Sequence, residues 1–220
     1  MNIQNKVIVV TGAGSGMGRE MTLQLVKKGA KVAMVDIHEQ ALAETASLAG
    51  EANLSQHTVN IAHREEVEAL PEAVISHHGA VDGIINNAGI IQPFIDVNDL
   101  DYDKIERIMN INFYGTLYMT KAFLPHLLKR PEAHIANVSS MGGFIPFLRA
   151  KLYAPKAAVK LLRFVSELKR SNVHVTVIHP GAENTNIMRQ TPVSRQKPRK
   201  LHQRKIRPVW HFLLKKPQRS

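Results

Sequence analysis

The stretch from Thr11 to Gly18, TGAGSGMG, follows a β-branched run and opens a helical pattern. Glycines in that strand-to-helix setting are what a pyrophosphate-binding turn requires. Gly12 permits the tight turn, Gly16 the close approach of the phosphates, and Gly18 the packing of helix on strand. Free amides at the helix start, around Ser15, Gly16 and Met17, face the anion with the positive end of the helix dipole behind them. Asp36 ends the next strand-like run roughly twenty residues later, where a carboxylate accepts hydrogen bonds from both hydroxyls of an adenosine ribose. The same charge repels a 2′-phosphate, and neither Ser15 nor Ile37 is basic to offset it, so the pattern favours NAD over NADP. An aspartate at a strand end can also simply cap the following helix, and both readings stand at this level.

Positioning those residues requires strands that end at a common edge. Short β-branched runs alternate with helical patterns: strands at Lys6 to Thr11, Lys31 to Asp36, His57 to Asn60, Val81 to Asn86, His134 to Ser139 and His174 to Ile178. Between them lie helical segments at Gly16 to Lys28, Glu39 to Ala49, Arg64 to His78, about Tyr102 to Lys129, and about Tyr153 to Arg170. Right-handed crossovers through these give an α/β fold, a Rossmann-like doubly wound parallel sheet of about six strands with helices on both faces.

The composition is that of one globular domain with a full core: 220 residues, 44% hydrophobic and 21% charged. Without cysteine there is no disulfide framework, thiolate nucleophile or cysteine zinc site. The histidines show no HExxH spacing, and His77 and His78 read as surface residues, so no metal is expected. No apolar run is long enough for a transmembrane segment, and Met1 to Val10 carries neither a basic leader nor a cleavage site. A cytoplasmic location is the expectation. The net charge of +11 is confined to one end: residues 1–185 carry 18 basic and 18 acidic side chains, whereas 186–220 carry 11 basic and none acidic. That stretch is punctuated by Pro192, Pro198, Pro208 and Pro217 and holds one apolar cluster, Val209 to Leu214. Trp210 and Phe212 among basic residues could meet a nucleic acid or an acidic membrane. With no recognition module beside them, the segment reads as a solvated, poorly ordered tail without a specific nucleic-acid partner.

Further motifs follow in order: NNAG at Asn86 to Gly89, Asn112 after a helix start, the tandem Ser139-Ser140, Tyr153 thirteen residues beyond Ser140, and PGAENT at Pro180 to Thr185. With the glycine turn, this set resembles the short-chain dehydrogenase/reductase family over about residues 4–185. The resemblance implies a nicotinamide-nucleotide-binding domain over 1–187 and a tail over 188–220. It implies that Asn60 and Ile61 border the adenine, with Asn60 standing where the family has aspartate. Asn86, Ala88 and Gly89 would line the adenosine and ribose side, and Pro180, Gly181 and Thr185 would hold the nicotinamide. The implied reaction interconverts an alcohol and a ketone or aldehyde, so the implied partner is a small alcohol or carbonyl substrate. Tyr153 would be the acid/base, and because a free phenol titrates near pH 10, Lys156 would stabilise its phenolate while also holding the ribose. Ser140 would bond the substrate oxygen, and Asn112 would support a water-linked proton path behind the lysine. The helical stretches at Asn112 to Lys129 and Tyr153 to Arg170 resemble surfaces through which the family forms dimers and tetramers, so a homo-oligomer is also implied.

Two departures alter what the resemblance predicts. The family separates its tyrosine and lysine by four residues, but this chain reads Tyr153-Ala154-Pro155-Lys156, a separation of three. On a helix this swings the lysine about 100° and drops it about 1.5 Å along the axis, and Lys160, two turns away, is a poor substitute. Beyond the PG motif the family continues into a substrate-covering segment, a helix and a further strand, for which the basic tail offers no equivalent. Weakened proton transfer and an uncovered pocket are the expectations. The alternative is a nucleotide-binding or interaction protein of the same fold without catalysis.

Overall fold

The computed structural model describes residues 1–50, 52–91, 97–140, 168 and 171–180. Among them are six strands: β1 (Val7–Thr11), β2 (Lys31–Asp36), β3 (Leu54–Thr58), β4 (Gly83–Asn86), β5 (Ala133–Val138) and β6 (Val173–Ile178). All pair in parallel in the order β3-β2-β1-β4-β5-β6. The chain therefore builds outward from β1 in one direction, then returns to place β4 on its other side. The C-terminal ends of β1 and β4 diverge there into a crevice.

The central strands β1 and β2 read as near-continuous apolar runs, VIVVT and KVAMVD, because both faces are covered. In β1, Ile8 and Val10 join the core under α1 (Gly16–Lys27) and α2 (Glu39–Ala49), alongside Met21, Leu25 and Leu42. Val7 and Val9 point to the opposite face, against α3 (Arg64–His78) and α5 (Thr116–Leu127), with Val67, Leu70, Met119 and Phe123. Alternate residues of one strand thus serve two cores, as the strand's period of two dictates. At the opposite end from the crevice, the buried Asp82 ties three elements together. Its Oδ2 accepts the Val7 N–H at 3.0 Å and its Oδ1 accepts Arg130 Nε at 2.8 Å.

Two boundaries differ from the sequence reading. The third strand lies at Leu54–Thr58, earlier than His57 to Asn60, since β3 is an edge strand whose register is set by backbone pairing to β2 rather than by its own apolar content. The long helix expected from Tyr102 is divided into α4 (Tyr102–Met109), a widened π-helical turn at Asn110–Gly115, and α5. Gly115 is pressed against the loop after β3: a Cβ there would lie 2.8 Å from Ile61 Cδ1, so the widened turn brings bare backbone close to that loop. The expected helix at Tyr153 to Arg170 and the tail from 188 lie outside the described residues. Among the described residues, no helix is long and apolar enough to cross a membrane.

Two histidines make the fold acid-sensitive. Burial, then the nearby His174 and the amino terminus, pushes His134 from 6.5 down to about 4. Burial, with His77, His57 and Lys31 adding to it, lowers His78 likewise to about 4. The folded chain therefore binds fewer protons than the unfolded one between these values, so stability is full above about pH 6.5 and declines as pH falls toward 4. After allowance for solvent screening the two contribute on the order of 2 kcal/mol, or roughly 4–8 °C in melting temperature. Thermal unfolding compared at about pH 7 and pH 5 should show that drop, and the double variant His78→Gln/His134→Gln should lose most of it. An equal drop in the double variant would place the acid sensitivity elsewhere.

Candidate functional site

A groove of about 200 Å³ opens over the C-terminal ends of β1, β2, β3 and β4, at the crevice where the strand order reverses. Gly12, Ser15, Gly16 and Met17 form one wall. Gly12 and Gly16 have φ of 69° and 53°, a left-handed backbone that side-chain-bearing residues avoid. Gly18 lies behind the wall rather than in it: a Cβ there would stand 1.9 Å from the Gly12 carbonyl oxygen. Helix α1 can therefore seat on the turn only with glycine at that point. Ser15, Gly16 and Met17 bring the open start of α1 to the groove, with Ser15 in extended conformation as its N-cap.

Asp36, at the end of β2, stands on the lip beside this turn. Its Oδ2 accepts the Gly14 N–H at 3.0 Å and its Oδ1 accepts the His38 N–H at 3.1 Å. His38 is the N-cap position of α2, so the carboxylate does support the start of the next helix. An ionised carboxylate offers about four acceptor sites, which leaves one on each oxygen for a diol. Ile37 beside it is 51% exposed, an apolar side chain on the lip that a flat ring could cover.

The far end of the groove is formed by Val59, Asn60 and Ile61 after β3 and by Asn87 to Ile90 after β4. The Asn60 side chain is turned onto its own loop, where Oδ1 accepts the Ala62 N–H at 3.1 Å and Nδ2 lies 3.2 Å from His63 Nε2. Of the NNAG residues, Asn87, Ala88 and Gly89 line the groove but Asn86 does not. Asn86 is buried in the sheet, its Nδ2 donating to Asn137 Oδ1 at 2.8 Å across the β4–β5 register. Thr11 fastens this loop to β1: its Oγ1 accepts the N–H groups of both Asn87 and Ala88 at 3.0 Å.

Asn112 is buried within the widened turn, and its amide spans the Ile90 backbone: Nδ2 donates to the Ile90 carbonyl at 2.8 Å and Oδ1 accepts the Ile90 N–H at 2.9 Å. The side chain is thus committed to holding the loop after Gly89 against the helix. Ser140 and Pro180 stand two residues beyond Val138 and Ile178, which are register partners, so both emerge in step at the same edge of the sheet as the groove. Tyr153, Lys156, Gly181 and Thr185 lie outside the described residues.

The structure adds lining residues that the motifs did not point to: Val35, Ile37, His38, Val59, Ile90, Arg107 and Ile111. For Ile37 and His38 a signal existed, since residues just past a strand end border the crevice of such a sheet. Arg107 and Ile111, one helical turn apart on α4 and the widened turn, could not be assigned to the groove without the tertiary packing that brings that turn to it.

Comparison with known proteins agrees with this construction. Residues 6–196 match the family model described as short chain dehydrogenase. SadH of Mycobacterium tuberculosis, assigned as an oxidoreductase, is 37% identical over 200 residues, spanning 88% of this chain and 72% of its own. Dehydrogenase/reductase SDR family member 7B of mouse is 35% identical over 84% of this chain and 60% of its own. Among solved structures, a 3-ketoacyl-(acyl-carrier-protein) reductase of Brucella melitensis complexed with NADH superposes with a TM-score of 0.82 at 30% identity, covering 86% of this chain and 80% of that one. A short-chain dehydrogenase/reductase of Burkholderia phymatum in complex with NAD also gives 0.82, at 26% identity, covering 92% and 76%. This chain belongs to the short-chain dehydrogenase/reductase family, a class of oxidoreductases.

Proposed function

We propose that the chain is an NAD-dependent oxidoreductase that interconverts an alcohol and a ketone or aldehyde. The observation that carries this reading is the groove itself, with a left-handed glycine turn on one wall and, fastened to that turn, a carboxylate on the lip. The turn fits a dinucleotide in keeping bare backbone where the chain bends: Gly12 takes a φ of 69°, and a Cβ on it would press against Asn87 Nδ2 at 3.0 Å and Ala88 Cα at 3.1 Å. Gly12, Ser15, Gly16 and Met17 would hold the pyrophosphate, Asp36 the adenosine ribose, and Ile37, Asn60 and Ile61 the adenine. Ala88 and Gly89 would follow the chain of the nucleotide toward Pro180, Gly181 and Thr185. When bound, the nicotinamide supplies or accepts the hydride. Ser140 would hold the substrate oxygen, Tyr153 would give or take its proton, and Lys156 would favour the phenolate. The Asn112 amide keeps the Ile90 loop in place at the end of the groove.

The NAD preference follows from charge. Asp36 has free acceptor capacity for two hydroxyls and none for a phosphate, while its two backbone donors keep it from swinging aside. Calorimetric titration should give an NAD affinity at least about tenfold above that for NADP, with Asp36→Ala removing the difference mainly by weakening NAD. Absence of heat with either nucleotide would refute the assignment. A panel of alcohols with NAD, followed by NADH absorbance, tests the chemistry.

A second reading rests on one observation, the three-residue separation of Tyr153 and Lys156. It is a nucleotide-binding protein of this fold without turnover, and it predicts the same titration with no NADH formed on any substrate.

A further inference from the structure

We propose that Arg19 is a positioning residue for nucleotide selection, which clamps Gly14 and thereby holds the Asp36 carboxylate in the orientation that accepts an unmodified adenosine ribose. The inference rests on the nicotinamide-nucleotide reading above and assigns to that site a determinant that does not touch the groove.

Arg19 lies on α1, five residues beyond Gly14. Its Nε donates to the Gly14 carbonyl and to Thr45 Oγ1, each at 3.0 Å, and its Nη2 reaches the same carbonyl. On the other side of that residue, the Gly14 N–H donates to Asp36 Oδ2 at 3.0 Å. Gly14 is therefore a relay, with the guanidinium on its carbonyl and the carboxylate on its amide. Only glycine fits at this point, because a Cβ there would stand 2.8 Å from Ala41 Cβ and 2.9 Å from Asp36 Oδ2. Thr45 completes the junction by donating to the Ala13 carbonyl at 3.0 Å. Helices α1 and α2, the glycine turn and the end of β2 all meet here.

The guanidinium does not act on the nucleotide as a free cation. It is absent from the groove lining, and Glu44 Oε2 lies 2.9 Å from its Nη2. What it controls is freedom of the chain. Glycine has no side chain to restrain its peptide units, so without the clamp the Gly14 units can rotate, and Asp36 loses the donor that fixes Oδ2. A carboxylate with more rotamers grips a diol less well because it must be ordered on binding. The same loosened carboxylate can turn from a 2′-phosphate. Loss of Arg19 therefore weakens one ligand and spares the other. A lysine has one point charge where this carbonyl and hydroxyl take a fork, so it restores the clamp only in part.

The experiment titrates the full chain with NADH, following nicotinamide fluorescence, and with NADPH directly or by displacement, for the unaltered protein and for Arg19→Met, Arg19→Lys and Glu44→Gln. Arg19→Met is expected to raise the NADH Kd about tenfold while moving the NADPH Kd by less than about threefold. Arg19→Lys should fall between, and Glu44→Gln, which leaves the guanidinium on Gly14 but removes its anionic partner, should narrow the ratio slightly. A uniform loss for both nucleotides, or no change in their ratio, overturns the proposal, because a merely structural residue behaves in that way. If Arg19→Met does not fold, the ratio measured with the other two variants decides by the same criterion. An unaltered chain that binds neither nucleotide defeats the parent reading and this one with it. Binding with an unmoved ratio defeats this one alone.

Discussion

Gly18→Ala is expected to lower nicotinamide-nucleotide affinity by about a hundredfold, since losing two charge-assisted contacts from the helix-start amides to the phosphates, at about 1.5 kcal/mol or more each, amounts to that factor. The added Cβ would lie 1.9 Å from the Gly12 carbonyl oxygen and 2.6 Å from its carbon, both backbone atoms that cannot rotate out of the way. It would also stand 2.8 Å from Asn87 Nδ2, which donates to the Thr11 carbonyl and so links the glycine turn to the loop after β4. Relief requires α1 to withdraw from the turn, carrying the open amides at Ser15, Gly16 and Met17 away from the phosphates. Overpacking of this kind also costs about 1–3 kcal/mol of stability. Titration together with a thermal melt separates the two consequences. A variant that stays folded and binds NAD as tightly as the parent would show that α1 does not hold the pyrophosphate.

The other large effect concerns proton transfer. Inserting one alanine between Ala154 and Pro155 restores a four-residue separation of Tyr153 and Lys156. If that segment is helical, the insertion returns the lysine through about 100° and 1.5 Å to the tyrosine's face. Turnover on a responsive alcohol should rise by on the order of a hundredfold, and NAD affinity should change far less. The rise should be largest below about pH 8, where an unassisted phenol is almost wholly protonated. Equal turnover with either spacing would remove the three-residue separation as a defect and would favour local slippage that already brings the ammonium to the phenol. Turnover absent in both, with NAD bound by both, would support the non-catalytic reading.

The parts of the site that could be read from sequence were those made by neighbours in the chain. TGAGSGMG carries its own geometry, because the positive φ at Gly12 and Gly16 and the bare backbone at Gly18 are properties of those residues. Helices α2 and α3 span the residues that the helical pattern predicts, Glu39–Ala49 and Arg64–His78. The third strand lies earlier than its sequence suggests because LSQHT has little apolar pattern of its own and takes its place from β2. NNAG was recognised, but its first asparagine faces the sheet and its second the groove, since successive residues at the end of β4 point to different sides.

Sequence alone established the alternation of elements, the nucleotide-type turn and the acidic residue at the end of β2, because periodicity, glycine freedom and charge are local properties. Only the tertiary structure decided that Asp36 is already held by Gly14 and His38, that Asn112 is committed to Ile90, and that Arg19 stands behind the turn. The contacts of Asp36 with Gly14 and of Asn112 with Ile90 join separate elements, and Arg19, five residues beyond Gly14, is tied there by Thr45 and Glu44 of α2. Their partners are chosen by how helices and strands pack, and a one-dimensional pattern carries no record of that choice.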